Sequence, residues 1–210
     1  MPSLVKSTIA LFADDGYLLK SISSQHDVDI LQGDLNILQT WEGKWSMEFH
    51  PEKYQLLRLT NKRKTVEAHY TIHGKILKLV EKAKYLGVSL SKNLSWKYHV
   101  NNITAKANSK RLFPQRNLVK VDRKLKLKCY NTYVRPILEY ASSVWRPVNQ
   151  ISLIRKIKMV QHKAVRWICS NWDREASVSN MEASLCMKKL ENRQSIAQLK
   201  MMRDLITGEK

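Results

Sequence analysis

Two adjacent carboxylates, Asp14 and Asp15, stand between the apolar run Ile-Ala-Leu-Phe-Ala at 9–13 and the shorter Tyr-Leu-Leu at 17–19. Each flank has the length of a buried strand, and Asp15-Gly16 is a strong short-range hairpin signal. The simplest geometry is strand, tight turn, strand, with both aspartates at the tip. An ionised carboxylate beside an apolar sheet is costly unless it is solvated, paired or bound to a metal. Carboxylates on a rigid turn suit Mg²⁺ and the phosphate substrates it accompanies. An ordinary solvated Asp-Gly turn accounts for the same eleven residues without any chemistry.

The elements that position this tip follow from periodicity. Leu31, Leu35, Leu38, Trp41 and Trp45 recur at three- and four-residue spacing, which predicts an amphipathic helix over 27–46 packed on the sheet, with both tryptophans in the core. Pro51 breaks the chain. Residues 54–59 and 69–72 read as short strands, and His73-Gly74 is placed to turn a hairpin into 76–79. Leu86, Val88 and Leu90 alternate as a half-buried strand does, with Leu86 in the core and Gly87 relieving a bulge. His69 and His73 lie in a strand-like stretch, where their spacing makes no metal pair. The fold class is therefore α+β, with an antiparallel sheet and one packed helix over residues 1–95.

From Trp96 the pattern becomes helical. Val100, Ile103 and Ala107 share one face, and Leu125 to Val134 suggest a helix that Pro136 kinks or splits. Ile154, Ile157, Val160, Ala164 and Ile168 form the cleanest apolar stripe, with Arg155, Lys156, Lys158, Lys163 and Arg166 largely off it. A final helix is expected over 181–206. Arg135 and Glu139 are spaced for an ordinary helix-surface ion pair. The domain boundary falls in the Ser91–Ser95 stretch, which divides the chain into 1–95 and 96–210.

Charge separates along the chain. The 210 residues carry a formal net charge of +19. Residues 1–60 hold five Lys/Arg against eight Asp/Glu, whereas 61–210 hold thirty-two against ten. Such asymmetry points to a polyanionic partner, nucleic acid before an acidic membrane, although a merely soluble lysine-rich helical surface also yields it. Cys129, Cys169 and Cys186 are odd in number and widely spaced, as reduced core thiols of an intracellular protein are. No stretch approaches the ~20 apolar residues of a membrane span.

In this order the pieces resemble the C-terminal half of the reverse transcriptase of non-LTR (LINE-type) retrotransposons, over nearly the whole chain. Phe12-Ala-Asp14-Asp15 is similar to the family's palm signature. Asp34-Leu-x-x-Leu38-x-x-Trp41-x-x-x-Trp45-x-Met47-x-Phe49-x-x-x-Lys53 resembles the helix and lysine strand that follow it. Tyr85-Leu-Gly-Val88-x-Leu90, continuing to Trp96 and His99, is similar to the primer-grip region and the entry to the thumb. Tyr133-Val-Arg-Pro-Ile-Leu-Glu-Tyr, Val160-Gln161-x-x-Ala164-x-Arg166 and Leu190-Glu-x-Arg193 resemble the segments beyond.

The resemblance implies a partial polymerase palm over 1–95 and a basic, mostly α-helical, thumb-like region over 96–210. The chemistry it implies is RNA-directed DNA polymerisation with two Mg²⁺ ions about 3.5–4 Å apart. In that scheme Asp14 is a metal ligand, Asp15 a ligand or electrostatic support, and Lys53 a group near the triphosphate; a solvated strand-edge charge is the plain alternative for Lys53. Tyr85, Leu86 and Gly87 lie where the primer terminus is held. Lys97, Lys106, Lys110, Arg111, Arg116, Lys124, Lys163 and Arg166 contact the backbone of an RNA-template/DNA-primer duplex. The location implied is intracellular, nuclear or cytoplasmic.

Gly16 departs from the family pattern, which more often has threonine there. The resemblance also requires a further palm aspartate and fingers upstream, which these 210 residues do not include. The expectation is therefore that the chain alone does not polymerise. A non-catalytic nucleic-acid-binding module derived from the same frame is the alternative function.

Overall fold

The computed structural model describes residues 4–13, 15–45 and 53–208. It divides into two units, Met1–Ser95 and Trp96–Lys210. In the first, a hairpin of β1 (Thr8–Phe12) and β2 (Asp15–Leu19) precedes helix α1 (Gln25–Lys44). Ser24 caps α1 and Asp27 completes a capping box. The backbone hydrogen bond from Ser23, with further bonds from Ser23 and Ser24, holds the Asp27 carboxyl well below the usual carboxylate range.

The face α1 buries is not the expected leucine stripe. Val28, Asp34 and Glu42 are buried, Leu31, Leu35, Leu38 and Trp41 are half-buried, and Trp45 is exposed. Polar side chains make the docking. Gln32 gives its Nε2 to the Thr71 carbonyl and takes the Thr71 N–H on its Oε1, both at 2.9 Å, as a neighbouring strand would. Gln39 accepts from the His73 N–H, and Glu42 meets His73 Nε2 at 2.7 Å. These residues recur at helical spacing, so satisfying a strand edge rotates α1 away from its most apolar face. Met47, Phe49 and Pro51 lie outside the described residues.

The strands do not form one antiparallel sheet. Among the described residues they make four two-stranded pieces. β4 (Thr71–Ile72) pairs antiparallel with β5 (Lys75–Ile76), and β7 (Lys82–Tyr85) with β8 (Val88–Ser91), while β3 (Gln55–Leu57) runs parallel to β6 (Lys78–Val80). Two of the turns have positive φ at both central residues: His73 at 51° with Gly74 at 70°, and Leu86 at 44° with Gly87 at 80°. Both are primed turns, whose twist matches the flanking strands. The first was legible from His73-Gly74. The second corrects the strand expected through Leu86 and the bulge expected at Gly87.

The second unit is helical: α2 (Lys97–Asn117), α3 (Arg123–Cys129), α4 (Arg135–Glu139), α5 (Ser142–Trp145), α6 (Ile151–Cys169), α7 (Val178–Ser184) and α8 (Leu190–Thr207). Its core is continuous. Ile157, Val160, Ala164 and Ile168 of the predicted stripe are buried, facing α2, where Val100 and Ala107 are buried. Trp145 is fully buried, donates to the Tyr140 carbonyl at 2.7 Å, and packs against His99 with ring centres 5.0 Å apart and planes inclined at 60°.

Pro136 acts as expected, but upstream of itself. It has no N–H to give Thr132, and Tyr130–Val134 widens into a π-helical turn in which the Arg135 N–H reaches the Tyr130 carbonyl. The single terminal helix expected over 181–206 is instead two. Cys186 has φ of 51°, the Met187 N–H bonds the Glu182 carbonyl, and the Cys186 N–H bonds that of Ala183, so a Schellman-type cap ends α7. This cap also leaves Cys186 exposed, whereas Cys129 is buried and Cys169 half-buried; all three are free thiols. Among the described residues no helix is long and apolar enough to cross a membrane.

Candidate functional site

The β1–β2 register pairs Phe12 with Asp15 and Leu11 with Gly16. Asp15 and Gly16 therefore belong to β2 and not to the turn, and Ala13, just past β1, has φ 52°. Asp15 is the first residue of β2 and is exposed; Asp14 lies outside the described residues. A Cβ at Gly16 meets the Leu11 Cδ2 at 2.9 Å, so glycine lets that side chain fold over the strand.

The turn after β7 comes to this hairpin. Tyr17, two residues past Asp15, packs edge-on against Tyr85 with ring centres 4.9 Å apart and planes at 85°. Burial, then Tyr17, then the negative charge of Asp15 push the Tyr85 hydroxyl above its ordinary pKa. The sequence-predicted Asp15 and Tyr85 are thus neighbours, bridged by Tyr17, which sequence reasoning did not single out. Its signal was strand alternation: Tyr17 lies two residues from Asp15 and shares its face. Leu86 and Gly87 form the turn beyond. Lys53 is exposed, two residues before β3. Beside it the Tyr54 hydroxyl is pushed up to about 12 by burial and by Glu42.

The base of the hairpin is held from α1. Asp34 is buried and its two carboxylate oxygens accept the consecutive N–H groups of Lys6, at 2.9 Å, and Ser7, at 2.7 Å. Burial raises its carboxyl, but the bonds from Ser7 and Lys6 and the Lys20 charge outweigh that, and its pKa lies below the usual value. Among the described residues no three His, Cys, Asp or Glu side chains gather as a metal-binding group. Asp15 is a single exposed carboxylate, which does not complete the donor set of a two-ion centre.

In the helical unit, Lys97, Lys106, Lys110 and Arg116 are exposed on α2, Lys124 on α3 and Lys163 on α6. Two predicted contacts are corrected. Arg111 is buried, donating to Gln115 and Asn108, because its place on α2 faces inward; loss of water lowers its pKa. Arg166 is half-buried and donates to the carbonyls of Asp173 and Ala176, tying down the loop after α6. Arg155, Lys156 and Lys158 are exposed on α6 and were not singled out, although their off-stripe positions gave the signal. α2 and α6 together carry ten Lys or Arg and no Asp or Glu.

Comparison with known proteins finds mobile-element polymerases. The chain is 31% identical over 166 residues to the RNA-directed DNA polymerase from mobile element jockey of Drosophila funebris, covering 76% of this chain and 18% of that protein. It is 29% identical over 203 residues to the Drosophila melanogaster jockey polymerase, covering 93% of this chain and 22% of the relative. The probable RNA-directed DNA polymerase from transposon X-element of Drosophila melanogaster is 28% identical over 169 residues, 78% of this chain and 18% of its own. The chain spans about a fifth of the length of the curated relatives it matches. No protein-family model and no solved structure matches it.

Proposed function

We propose, on the premise that this chain belongs as a segment to the RNA-directed DNA polymerases of non-LTR retrotransposons, that residues 1–95 are the end of the polymerase palm and 96–210 a thumb-like region. The hairpin contributes Asp14 and Asp15 to a Mg²⁺-dependent nucleotidyl-transfer site, and Tyr85, Leu86 and Gly87 lie along the primer terminus. The observation that supports this reading is the Tyr17–Tyr85 contact, which joins the strand bearing Asp15 to the primer-grip-like turn. A two-ion centre needs carboxylates beyond those described here. The 210 residues alone therefore supply a wall of the site and no complete reaction.

The test replaces the corresponding segment of the Drosophila melanogaster jockey polymerase with this chain. The chimera is expected to extend a primer on an RNA template with Mg²⁺, and Asp14→Asn to abolish extension while leaving primer–template binding unchanged. An inactive chimera that still binds primer–template, or an Asp14→Asn chimera that extends normally, overturns the reading. Mg²⁺-dependent extension by the isolated 210 residues overturns their insufficiency.

A second reading, a non-catalytic nucleic-acid-binding module, is favoured by the charge of α2 and α6. Binding then persists without Mg²⁺ and in an Asp14/Asp15 double variant. With about six phosphates contacted on a duplex, the log–log salt slope is near −5. A flat salt response removes this reading.

A further inference from the structure

A solvated helix ordinarily interleaves acidic and basic residues, because like charges four apart destabilise it by a few tenths of a kcal/mol per pair. α2 and α6 do not, and they pack against each other. Between them runs an open groove of about 590 Å³. Thr104 and Asn108 of α2 line one side, and Arg155, Lys156, Met159 and Lys163 of α6 the other. Arg155, Lys156 and Lys163 are all exposed, and none forms an ion pair with a carboxylate among the described residues.

We infer that the α2–α6 groove holds the sugar–phosphate backbone of a single nucleic-acid strand. This deepens, and rests on, the proposal that residues 96–210 bind nucleic acid.

Three features define the occupant. Arg155 and Lys163 stand eight residues apart, about 12 Å along the helix, so the cations make a track rather than a point. Lys156 is drawn across to α2 by donating to the neutral Asn101 Oδ1 at 2.8 Å, which fixes its direction without cancelling its charge. Met159, 45% exposed between them, offers an apolar surface for sugars. The width then selects one strand. Helices packed in contact, with axes about 8–10 Å apart, leave a furrow along their shared surface that seats one extended backbone and cannot enclose a duplex, which is wider than its own major groove of about 12 Å. No aromatic side chain lines the groove, so base stacking adds nothing and binding is indifferent to sequence.

The experiment measures fluorescence anisotropy of the 210-residue chain with a labelled unstructured oligonucleotide, RNA in one arm, DNA in a second and the matching duplex in a third. The variant Arg155→Gln/Lys156→Gln/Lys163→Gln is expected to weaken single-strand binding about tenfold. Its log–log salt slope flattens by about 2, since each lost phosphate contact on a single strand removes ~0.7. Lys120→Gln/Lys188→Gln/Lys200→Gln, which removes equal charge at exposed lysines outside the groove, stays within about threefold. Lys156→Arg/Lys163→Arg retains binding, and the unfolding temperatures of all variants match.

If the groove variant binds normally, if the control variant loses as much, or if duplex binds as tightly as single strand, the groove assignment is overturned. Failure of the unaltered chain to bind any nucleic acid is a different result, and it overturns the underlying reading as well. A difference between the RNA and DNA arms identifies which strand the groove takes.

Discussion

The two units of this chain are held together by different means. Among the described residues, four buried apolar side chains belong to Met1–Ser95, namely Val28, Tyr70, Ile72 and Val88, whereas sixteen belong to Trp96–Lys210. The first unit is organised by side-chain hydrogen bonds to strand edges, through Gln32, Gln39, Glu42 and Asp34. The second is organised by a continuous core. The hairpin bearing Asp15 also leaves Leu11, Phe12, Tyr17 and Leu19 exposed, and an isolated two-stranded ribbon is marginal in water. The comparison teaches that the unit proposed to carry the chemistry has the smaller apolar core, and the basic unit the larger, so the first is expected to be the less stable on its own.

The largest break in that comparison is expected at Trp145. Trp145→Ala removes a fully buried ring, its contact with His99 and its bond to the Tyr140 carbonyl. Large-to-small changes of this kind cost about 3–5 kcal/mol. Denaturant unfolding followed by far-UV circular dichroism, dominated by the helices, checks it. A loss below about 1 kcal/mol contradicts a continuous core in residues 96–210.

Next comes Asp34. Asp34→Ala leaves the Lys6 and Ser7 N–H groups without their acceptors, an expected cost of about 1–3 kcal/mol confined to the first unit. The pH dependence follows from the direction of the shift. Because the folded carboxyl titrates below its unfolded value of about 3.9, its stabilisation is present above that pH and is lost as pH falls through the folded value. The amide proton shifts of Lys6 and Ser7 report it. They are expected to stay constant above pH 5 and to move upfield in acid, and a titration at higher pH contradicts the clamp.

What was legible in the sequence tracks the same division. The apolar stripe of α6 was read correctly because a large core rewards the most hydrophobic face of a helix. The stripe of α1 was misread because small sheets reward satisfied backbone groups first, and Gln32 and Gln39 carry no hydropathy signal. His73-Gly74 announced its turn; Leu86-Gly87 did not, since leucine is rare at positive φ and the alternation of Leu86, Val88 and Leu90 imitates a strand. The neighbourhood of Asp15 and Tyr85 required the fold, because seventy residues separate them. Exposure of the cations was legible for most of α2, and failed at Arg111 and Arg166, where a long side chain solved a local hydrogen-bonding need.

Leu86 offers a smaller effect of opposite sign. At φ 44° a leucine is strained by about 1 kcal/mol, and Asn-Gly is the preferred pair for a primed two-residue turn. Leu86→Asn relieves that strain and loses some half-buried apolar surface, for a net gain of about 0.5 kcal/mol. Slower hydrogen exchange of the β7 and β8 amides is the expected reading. Faster exchange assigns the Leu86 side chain a packing role that outweighs its backbone strain.

The smallest expected effect is the most discriminating. Trp45 is 62% exposed at the end of α1, and its described ring contact is with Trp41, at 6.3 Å and tilted. A largely exposed aromatic in that position is expected to be worth under about 0.5 kcal/mol to the fold, against several for Trp145. Two tryptophans of one chain thus differ nearly tenfold by environment alone. Calorimetric unfolding of Trp45→Ala separates two states of the first unit. A change near zero means that α1 meets water at this end, as its surroundings here imply. A loss above about 1 kcal/mol means that further chain covers Trp45 in solution, and the first unit then owes its stability to burial after all.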